Sequence, residues 1–362
     1  MRFIGILLAC LRPSKLAAEK LPRSTQIRNP SLRFNEKKLC LLASMLFNEM
    51  RVMVRLCVLE GAGMRSTQIY RNKNERKIMK ITYLGTGAAE GAPAVFCNCE
   101  VCQELRRRGM EEFHTRAQFL IDDNVGIDFP PDAYAHALRF QKDLSKLRYL
   151  LVTHSHMDHF YAHDFILRGY KYCSPLSAPL TIYGNAEVKK VYEESTRREL
   201  RAEVRENIRV QEVTSFTPFS FGEGGEYTAI PLPAQHSQTE TAFVYLLEKD
   251  GKRYLHLTDT GRLPMQTLGF LEEYFQDKPC VDLVTFDCTF LFRTAGEISR
   301  HMGLEDNKAT QTEFEKRGIA GGRTRYAITH YSHNNAPLKE NLSRAEREYG
   351  YFPTYDGTVI EF

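Results

Sequence analysis

The run Leu150-Leu151-Val152-Thr153-His154-Ser155-His156-Met157-Asp158-His159 decides how the rest of the chain is read. Tyr149 to Val152 is apolar and predicts a buried strand. The strand stops at Thr153, and four candidate metal ligands follow within six residues. In an extended turn His154 and His156 point the same way, because side chains alternate with period two. Two imidazoles on one side can hold one ion. Asp158 and His159 follow where the chain must curl, and can face a second ion beside the first. Imidazole with carboxylate suits zinc, manganese or iron better than magnesium or calcium. The competing reading is a histidine-rich loop that binds nothing. Ligand spacing of this kind directly after a buried strand argues against it.

Working outward, Lys80 to Leu84 reads as a first strand, followed by the tight turn Gly85-Thr86-Gly87-Ala88. That turn lacks the lysine of a phosphate-binding P-loop. Cys97, Cys99 and Cys102 stand in C-x-C-x-x-C spacing, which puts three thiolates within reach of one zinc. A structural zinc needs a fourth ligand from elsewhere. Thr115–Ile121 and Val125–Asp128 read as a hairpin around Asp122-Asp123-Asn124. Asp128 then has two open roles: orienting a metal-bound histidine, or capping a helix over Pro131–Phe140. His163 falls four residues past His159, on the helix expected to follow, and reads as structural. Glu187–Val210 has a helical charge pattern. Its Arg197, Arg198 and Arg201 read as a solvated face.

Further on, Tyr227–Leu232 reads as a strand that delivers His236. Ala242–Leu247 and Arg253–Thr258 read as a hairpin around Lys249-Asp250-Gly251 that delivers Asp259. A carboxylate at a strand end can bridge two ions. His256, within the strand, reads as packing. Val281–Phe286 ends at Asp287, which either orients a ligand or merely ends a strand. His301 precedes a helix from Leu304 to Arg317. Arg325–Thr329 ends in His330-Tyr331-Ser332-His333.

The chain has 362 residues, 43% of them hydrophobic and 26% charged, enough for one large core or two modest ones. No apolar run reaches the roughly 18 residues of a membrane span. The net charge of +4 hides a split. Residues 1–78 hold 16 Lys and Arg against 5 Glu, a net of +11, which leaves −7 on the remainder. A break falls at Met79. Three readings of 1–78 stay open: a start placed too far upstream, a basic and disordered extension, or a targeting signal over Met1–Cys10. The segment repeats itself, at Arg23–Asn29 and Arg65–Asn72, with no solenoid period. Nine cysteines, clustered and scattered, form no even disulfide framework, and thiols beside metal ligands fit a reducing cytoplasm.

The motif Thr153-His154-Ser155-His156-Met157-Asp158-His159 resembles that of the metallo-β-lactamase-fold hydrolases. With Leu84-Gly85-Thr86-Gly87, the cysteine cluster, His236-Ser237, Asp259-Thr260, Asp287-Cys288 and Thr329–His333, residues 79–362 resemble one group among them. These are the phosphoribosyl 1,2-cyclic phosphate phosphodiesterases of the carbon–phosphorus lyase pathway in phosphonate metabolism. The resemblance implies an α/β fold, an αββα sandwich, with two catalytic divalent metals, zinc or manganese, and one structural zinc. His154, His156 and His236 would hold one metal. Asp158, His159 and His330 would hold the other, and Asp259 would bridge. Cys97, Cys99, Cys102 and His333 would hold the structural zinc. His301 matches a proposed proton-transfer residue, and Asp128 and Asp287 would orient ligands.

The implied reaction is hydrolysis of a small cyclic phosphodiester in the cytoplasm, with no membrane partner and a homodimer left open. Two other readings share the motif, a tRNA 3′-processing nuclease and a non-catalytic or cofactor-biosynthesis protein. The charge of −7 on the body argues against a nucleic-acid partner. The complete ligand set argues against loss of catalysis.

Overall fold

The computed structural model describes residues 78–362, apart from 170 and 297. The basic segment with its repeat and the targeting-signal reading, up to residue 77, lies outside the described residues. Fourteen strands form two seven-stranded sheets. The first has the order β14-β1-β2-β3-β4-β5-β6, from Thr358–Glu361 (β14), Lys80–Gly85 (β1), Gln118–Ile121 (β2), Val125–Ile127 (β3), Tyr149–Leu151 (β4), Leu180–Gly184 (β5) and Ile208–Glu212 (β6). The second has the order β13-β12-β11-β10-β9-β8-β7. Its strands are Phe352–Pro353 (β13), Arg325–Thr329 (β12), Leu283–Asp287 (β11), Lys252–Leu257 (β10), Phe243–Lys249 (β9), Tyr227–Pro233 (β8) and Phe219–Phe221 (β7).

Period-two alternation sorts the strand residues between layers. On β9, Phe243, Tyr245 and Leu247 face the first sheet, where they meet Ile81, Tyr83, Phe119 and Ile121. Val244 and Leu246 face the other way, towards the helices Met265–Phe275, Leu304–Lys316 and Lys339–Tyr349. On the far side of the first sheet, Leu84, Leu120, Leu150 and Val152 pack on Val188 and Tyr192 of an Ala186–Thr196 helix and on Phe165. The molecule is therefore four layers, αββα, with one core between the sheets and one under each helical layer. Buried tyrosines are prominent in the central core: Tyr83, Tyr227, Tyr245 and Tyr254. The Tyr245 hydroxyl donates to the Val152 carbonyl (2.9 Å), tying the second sheet to the end of β4.

Two expectations are corrected. The helical pattern over Glu187–Val210 breaks after Thr196. A short helix, Ala202–Asn207, follows, and then β6. Ile208 and Val210 alternate with polar neighbours, and pairing in parallel with β5 satisfies their backbone at the sheet edge. The element carrying His163 is a 3-10 helix, Ala162–Arg168, and His163 is exposed beside Glu199.

β3, β4, β5 and β6 run parallel, as do β10, β11 and β12. Their carboxyl ends deliver Asp128, His154, Asp259, Asp287 and His330, the place where open α/β sheets put their ligands.

Candidate metal centre

Each ligand candidate is placed by the backbone just past a strand. Asp128, Asp259 and His330 leave their strands with φ of 61°, 55° and 64°. Non-glycine residues rarely adopt this left-handed conformation, and it costs about 1–3 kcal/mol each. The strain turns each side chain off the sheet and into one space.

Three overlapping groups of donors converge there, all sharing Asp259, the third of them Asp259, Asp287, His301 and His330. In the first, His154 Nε2 lies 2.9 Å from His156 Nδ1, and His236 Nε2 lies 3.4 Å from the same atom. Asp259 Oδ2 is 3.3 Å from His154 Nε2. In the second, His159 Nε2 is 3.2 Å from Asp158 Oδ2 and 3.0 Å from Asp259 Oδ2, and His330 Nε2 is 4.0 Å from Asp259 Oδ1. Despite these short separations, the buried atoms His159 Nε2, His330 Nε2 and Asp259 Oδ1 have no hydrogen-bond partner. They aim at a common point rather than at one another, and a buried orphan atom is costly unless something binds it. Donor types, convergence and orphaned atoms all fit a pair of divalent ions.

The electrostatics agree. Burial opposes charge on His159, yet Asp158 and Asp128 outweigh it and push the imidazole well above its usual range. Burial likewise opposes ionisation of Asp158 and Asp259. The histidines around them win, holding both carboxyls well below the usual range. The carboxylates call for positive charge here, which protons or a divalent cation can supply.

The supporting groups are equally specific. Asp128 Oδ2 accepts from the His159 Nδ1–H (2.7 Å), and its Oδ1 accepts from the Thr153 N–H (2.8 Å). This turns His159 Nε2 towards the shared point, where a cation would take the place of its proton. Asp128 does not cap the next helix, which begins only at Ala133 behind Asp132. Asp287 Oδ2 stands 3.2 Å from His330 Nδ1 and 3.1 Å from His301 Nδ1, while its Oδ1 accepts from the Thr289 and Met302 N–H groups. His301 lines the cavity and is also 3.1 Å from Asp259 Oδ1. Burial opposes its protonation, but Asp287 and Asp259 prevail and push it up to about 9. His256 stays in the central core, edge-on to Phe119, and burial holds it neutral, at about 3.

Sequence reading missed Thr153, Thr289 and Glu240. Glu240 accepts from the Ser155 hydroxyl (2.7 Å) and the Asn185 amide (2.7 Å), clamping the middle of the motif. Only its place in the His236–Glu240 segment could have pointed to it.

A fourth group lies apart from the cavity. Cys97, Cys99, Cys102 and His333 bring four donors within 4.8 Å of one another. Donors about 2.0–2.3 Å from a tetrahedral zinc stand about 3.5 Å apart. The Cys99 and Cys102 sulfurs lie 3.6 Å and 3.4 Å from His333 Nδ1. The Cys102 N–H and the His333 ring hold the Cys99 thiol down to about 6, whereas burial pushes Cys102 up to about 11.

Residues 118–317 match the family described as the beta-lactamase superfamily domain. The chain belongs to that superfamily. The matched range spans the motif, His236, Asp259, Asp287 and His301, while the cysteine cluster and His330–His333 lie outside it. Solved structures share the metallo-β-lactamase fold. A diphosphatase described as new and from the PhnP family is 21% identical, with 79% of this chain and 97% of that one covered and a TM-score of 0.56. Zinc-bound PqqB from Methylobacterium extorquens is 15% identical, with 78% and 99% covered and a TM-score of 0.60. At these identities the likeness is one of fold. A stretch of 85 residues is 35% identical to part of a protein named octanoyltransferase from Porphyromonas gingivalis. It is 22% of this chain and spans only 16% of that protein. Among the described residues of this superfamily member, no helix is long and apolar enough to cross a membrane.

Proposed function

We propose that this β-lactamase superfamily member is a metal-dependent phosphodiesterase that opens a small cyclic phosphodiester, of the phosphoribosyl 1,2-cyclic phosphate type. His154, His156 and His236 would hold one ion, Asp158, His159 and His330 the other, with Asp259 shared. Two ions there would supply a water of lowered pKa and neutralise charge on the phosphoryl oxygens. In the reaction the water oxygen bonds to phosphorus, the ring P–O ester bond breaks, and the released alkoxide takes a proton. Asp128 and Asp287 keep the His159 and His330 rings in one orientation. Cys97, Cys99, Cys102 and His333 would hold a structural zinc.

The observation that carries the reading is His301. Its Nδ1 is hydrogen-bonded to Asp287 (3.1 Å) beside the two-ion ligand set, so the ring can deliver a proton from Nε2 to the leaving oxygen. The test is a panel on the metal-loaded protein: bis(p-nitrophenyl) phosphate, phosphoribosyl cyclic phosphate, 2′,3′-cyclic nucleotides, a tRNA precursor and a thioester. Turnover of the cyclic ribosyl phosphate is expected, and His301→Ala should lower it by about 10²- to 10⁴-fold. The same variant should lose far less on p-nitrophenyl esters, whose leaving group needs little protonation. Equal losses on both would remove His301 as the proton donor. Turnover of the tRNA or the thioester alone would overturn the whole reading.

A further inference from the structure

The turn Gly85-Thr86-Gly87 supplies no metal ligand, yet it is built into the back of the metal centre. A Cβ at Gly85 would stand 2.0 Å from the Arg116 carbonyl oxygen, and one at Gly87 2.5 Å from that of His114. Only glycine lets the turn lie this close to the segment His114–Arg116. Its other side is stitched to the residue after His330. The Tyr331 N–H donates to the Thr86 carbonyl (2.9 Å), and the Ala88 N–H to the Tyr331 carbonyl (2.9 Å). Ala88, Ala89 and Glu90, which follow the turn, line the cavity together with His330.

Behind the turn runs a buried polar row that the proposed reaction does not use. Asp356 Oδ1 lies 2.8 Å from Thr86 Oγ1, and Thr86 Oγ1 lies 2.8 Å from His114 Nδ1. His114 Nε2 lies 3.1 Å from the Pro337 carbonyl oxygen. Thr86 and His114 are sealed from solvent, and the Asp356 side chain is 1% exposed. The protons of this row can be counted. A carbonyl only accepts, so Nε2 carries a proton. The Thr86 hydroxyl has one proton and cannot give it to both Asp356 and His114. With Asp356 ionised and His114 neutral, two acceptors would face each other at one of the two contacts, a costly arrangement in a dry interior. The row therefore holds one proton more. Burial pushes the Asp356 carboxyl up to about 6 and the His114 imidazole down to about 4, which puts that proton on the carboxyl. Asp356 then donates to Thr86, Thr86 to His114 and His114 to Pro337, all in one direction.

The surrounding groups leave this arrangement standing. Asp356 Oδ1 also accepts from the Thr86 N–H (3.0 Å). Its Oδ2 accepts from the Thr115 N–H (2.9 Å) and hydroxyl (2.6 Å), with the Arg139 guanidinium 3.4 Å away. His136 lies beyond Thr115 and reaches Gln118 with its other nitrogen. The Gln118 amide can turn either face to it, so this arm demands no extra proton. Arg116 is paired with Asp132 (2.9 Å). Tyr331 packs edge-on against the His114 ring, and Tyr355 stacks on it.

We infer that Asp356 is a positioning residue for the metal centre: through one proton shared with Thr86 and His114 it latches the turn onto Tyr331. The latch fixes the candidate ligand His330 and the cavity edge from Ala88 to Glu90. It also makes the centre sensitive to pH from outside the cavity. Once the proton leaves, Thr86 has one hydroxyl proton for two acceptors, and the turn shifts. The inference holds whichever substrate the centre takes, and so does not rest on the phosphodiesterase reading.

Nuclear magnetic resonance of the zinc-loaded full chain reads the proton directly, through the Asp356 carboxyl carbon and the His114 ring nitrogens. The carboxyl should stay protonated to about 6 or above, beside a neutral ring with its proton on Nε2. When it ionises, the Ala88 and Tyr331 amides should lose hydrogen-exchange protection in the same step. An imidazolium beside a carboxylate would hold the same proton one group along and leave the latch standing. A carboxyl ionised at its usual value of roughly 4, beside a neutral ring and with both amides still protected, would overturn it. Competition with a chelating dye reads the positioning. Asp356→Asn cannot ionise, so the ratio of wild-type to variant ion affinity should fall about 10-fold as the pH climbs through the step, the low end of what an outer partner contributes to a metal site. Thr86→Ser keeps the hydroxyl and should follow wild type. A constant ratio would reduce Asp356 to a structural role. If Asp356→Asn fails to fold, Thr86→Val carries the comparison: it should bind about 10-fold more weakly below the step and like wild type above it. Equal affinity below the step would overturn the inference.

Discussion

Asp128 shows what a single residue contributes to this site. It is fully buried, sits at positive φ, and spends its carboxylate on Thr153 and on the His159 ring. Asp128→Asn puts an amide donor where only acceptors fit. The variant should fold, but bind divalent ions about 10- to 100-fold more weakly, the usual cost of losing an orienting partner. Competition with a chelating dye measures this, and wild-type affinity would show that Thr153 alone orients the loop. At this scale the sequence was most legible where chemistry is contiguous. Four ligands in six residues can be recognised without knowing what packs on them. Glu240 was not legible, because only the folded chain brings it to Ser155 and Asn185.

Among elements, the chain from His330 to His333 is the economical one. It begins just past the end of β12 with a candidate catalytic ligand and three residues later reaches His333, where the 3-10 helix His333–Asn335 starts. His333 meets the loop that opens helix Glu100–Arg108, with Cys99 at its N-terminal cap position. Cys99→Ser should therefore remove one bound ion of three and lower the melting temperature, with the ligands of the other two intact. Elemental analysis beside a thermal melt checks both, and unchanged ion content would rule out the cysteine site. The strands were legible because alternation and turn residues agree, as at Asp122-Asp123 and Asp250-Gly251, all at positive φ. β6 was not, because Arg and Glu run on past Thr196 and continue a helical charge pattern into a strand with two apolar positions.

For the whole molecule, the fold class followed from one motif and a resemblance, but the layering depends on long-range pairing that no local pattern reports. β1 pairs with β14, Ile81 against Ile360, and the Met79 N–H reaches the Phe362 carbonyl (3.1 Å). The first and last strands thus close one sheet together. A chain starting at Met79 is expected to fold and to keep its melting temperature and turnover. An insoluble product would assign residues 1–78 to the folded unit.

The tyrosines between the sheets have an optical consequence. The chain has 18 tyrosines and no tryptophan, so its near-ultraviolet signal belongs to phenols. Burial pushes Tyr83 up to about 12 and lifts Tyr245 and Tyr254 well above the usual range. Tyr134 and Tyr172, by contrast, are exposed. A phenol whose folded pKa is raised lends stability that is complete below its unfolded value, about 10. That stability drains away as the pH climbs through the folded value. Alkaline titration should therefore develop phenolate absorbance in two stages. A reversible one belongs to the surface, and a later, steeper one coincides with loss of near-ultraviolet circular dichroism. A single stage near 10 would mean that the sheets do not seal their interior. The molecule carries its own dye, placed where the two halves of the sandwich must part for it to change colour.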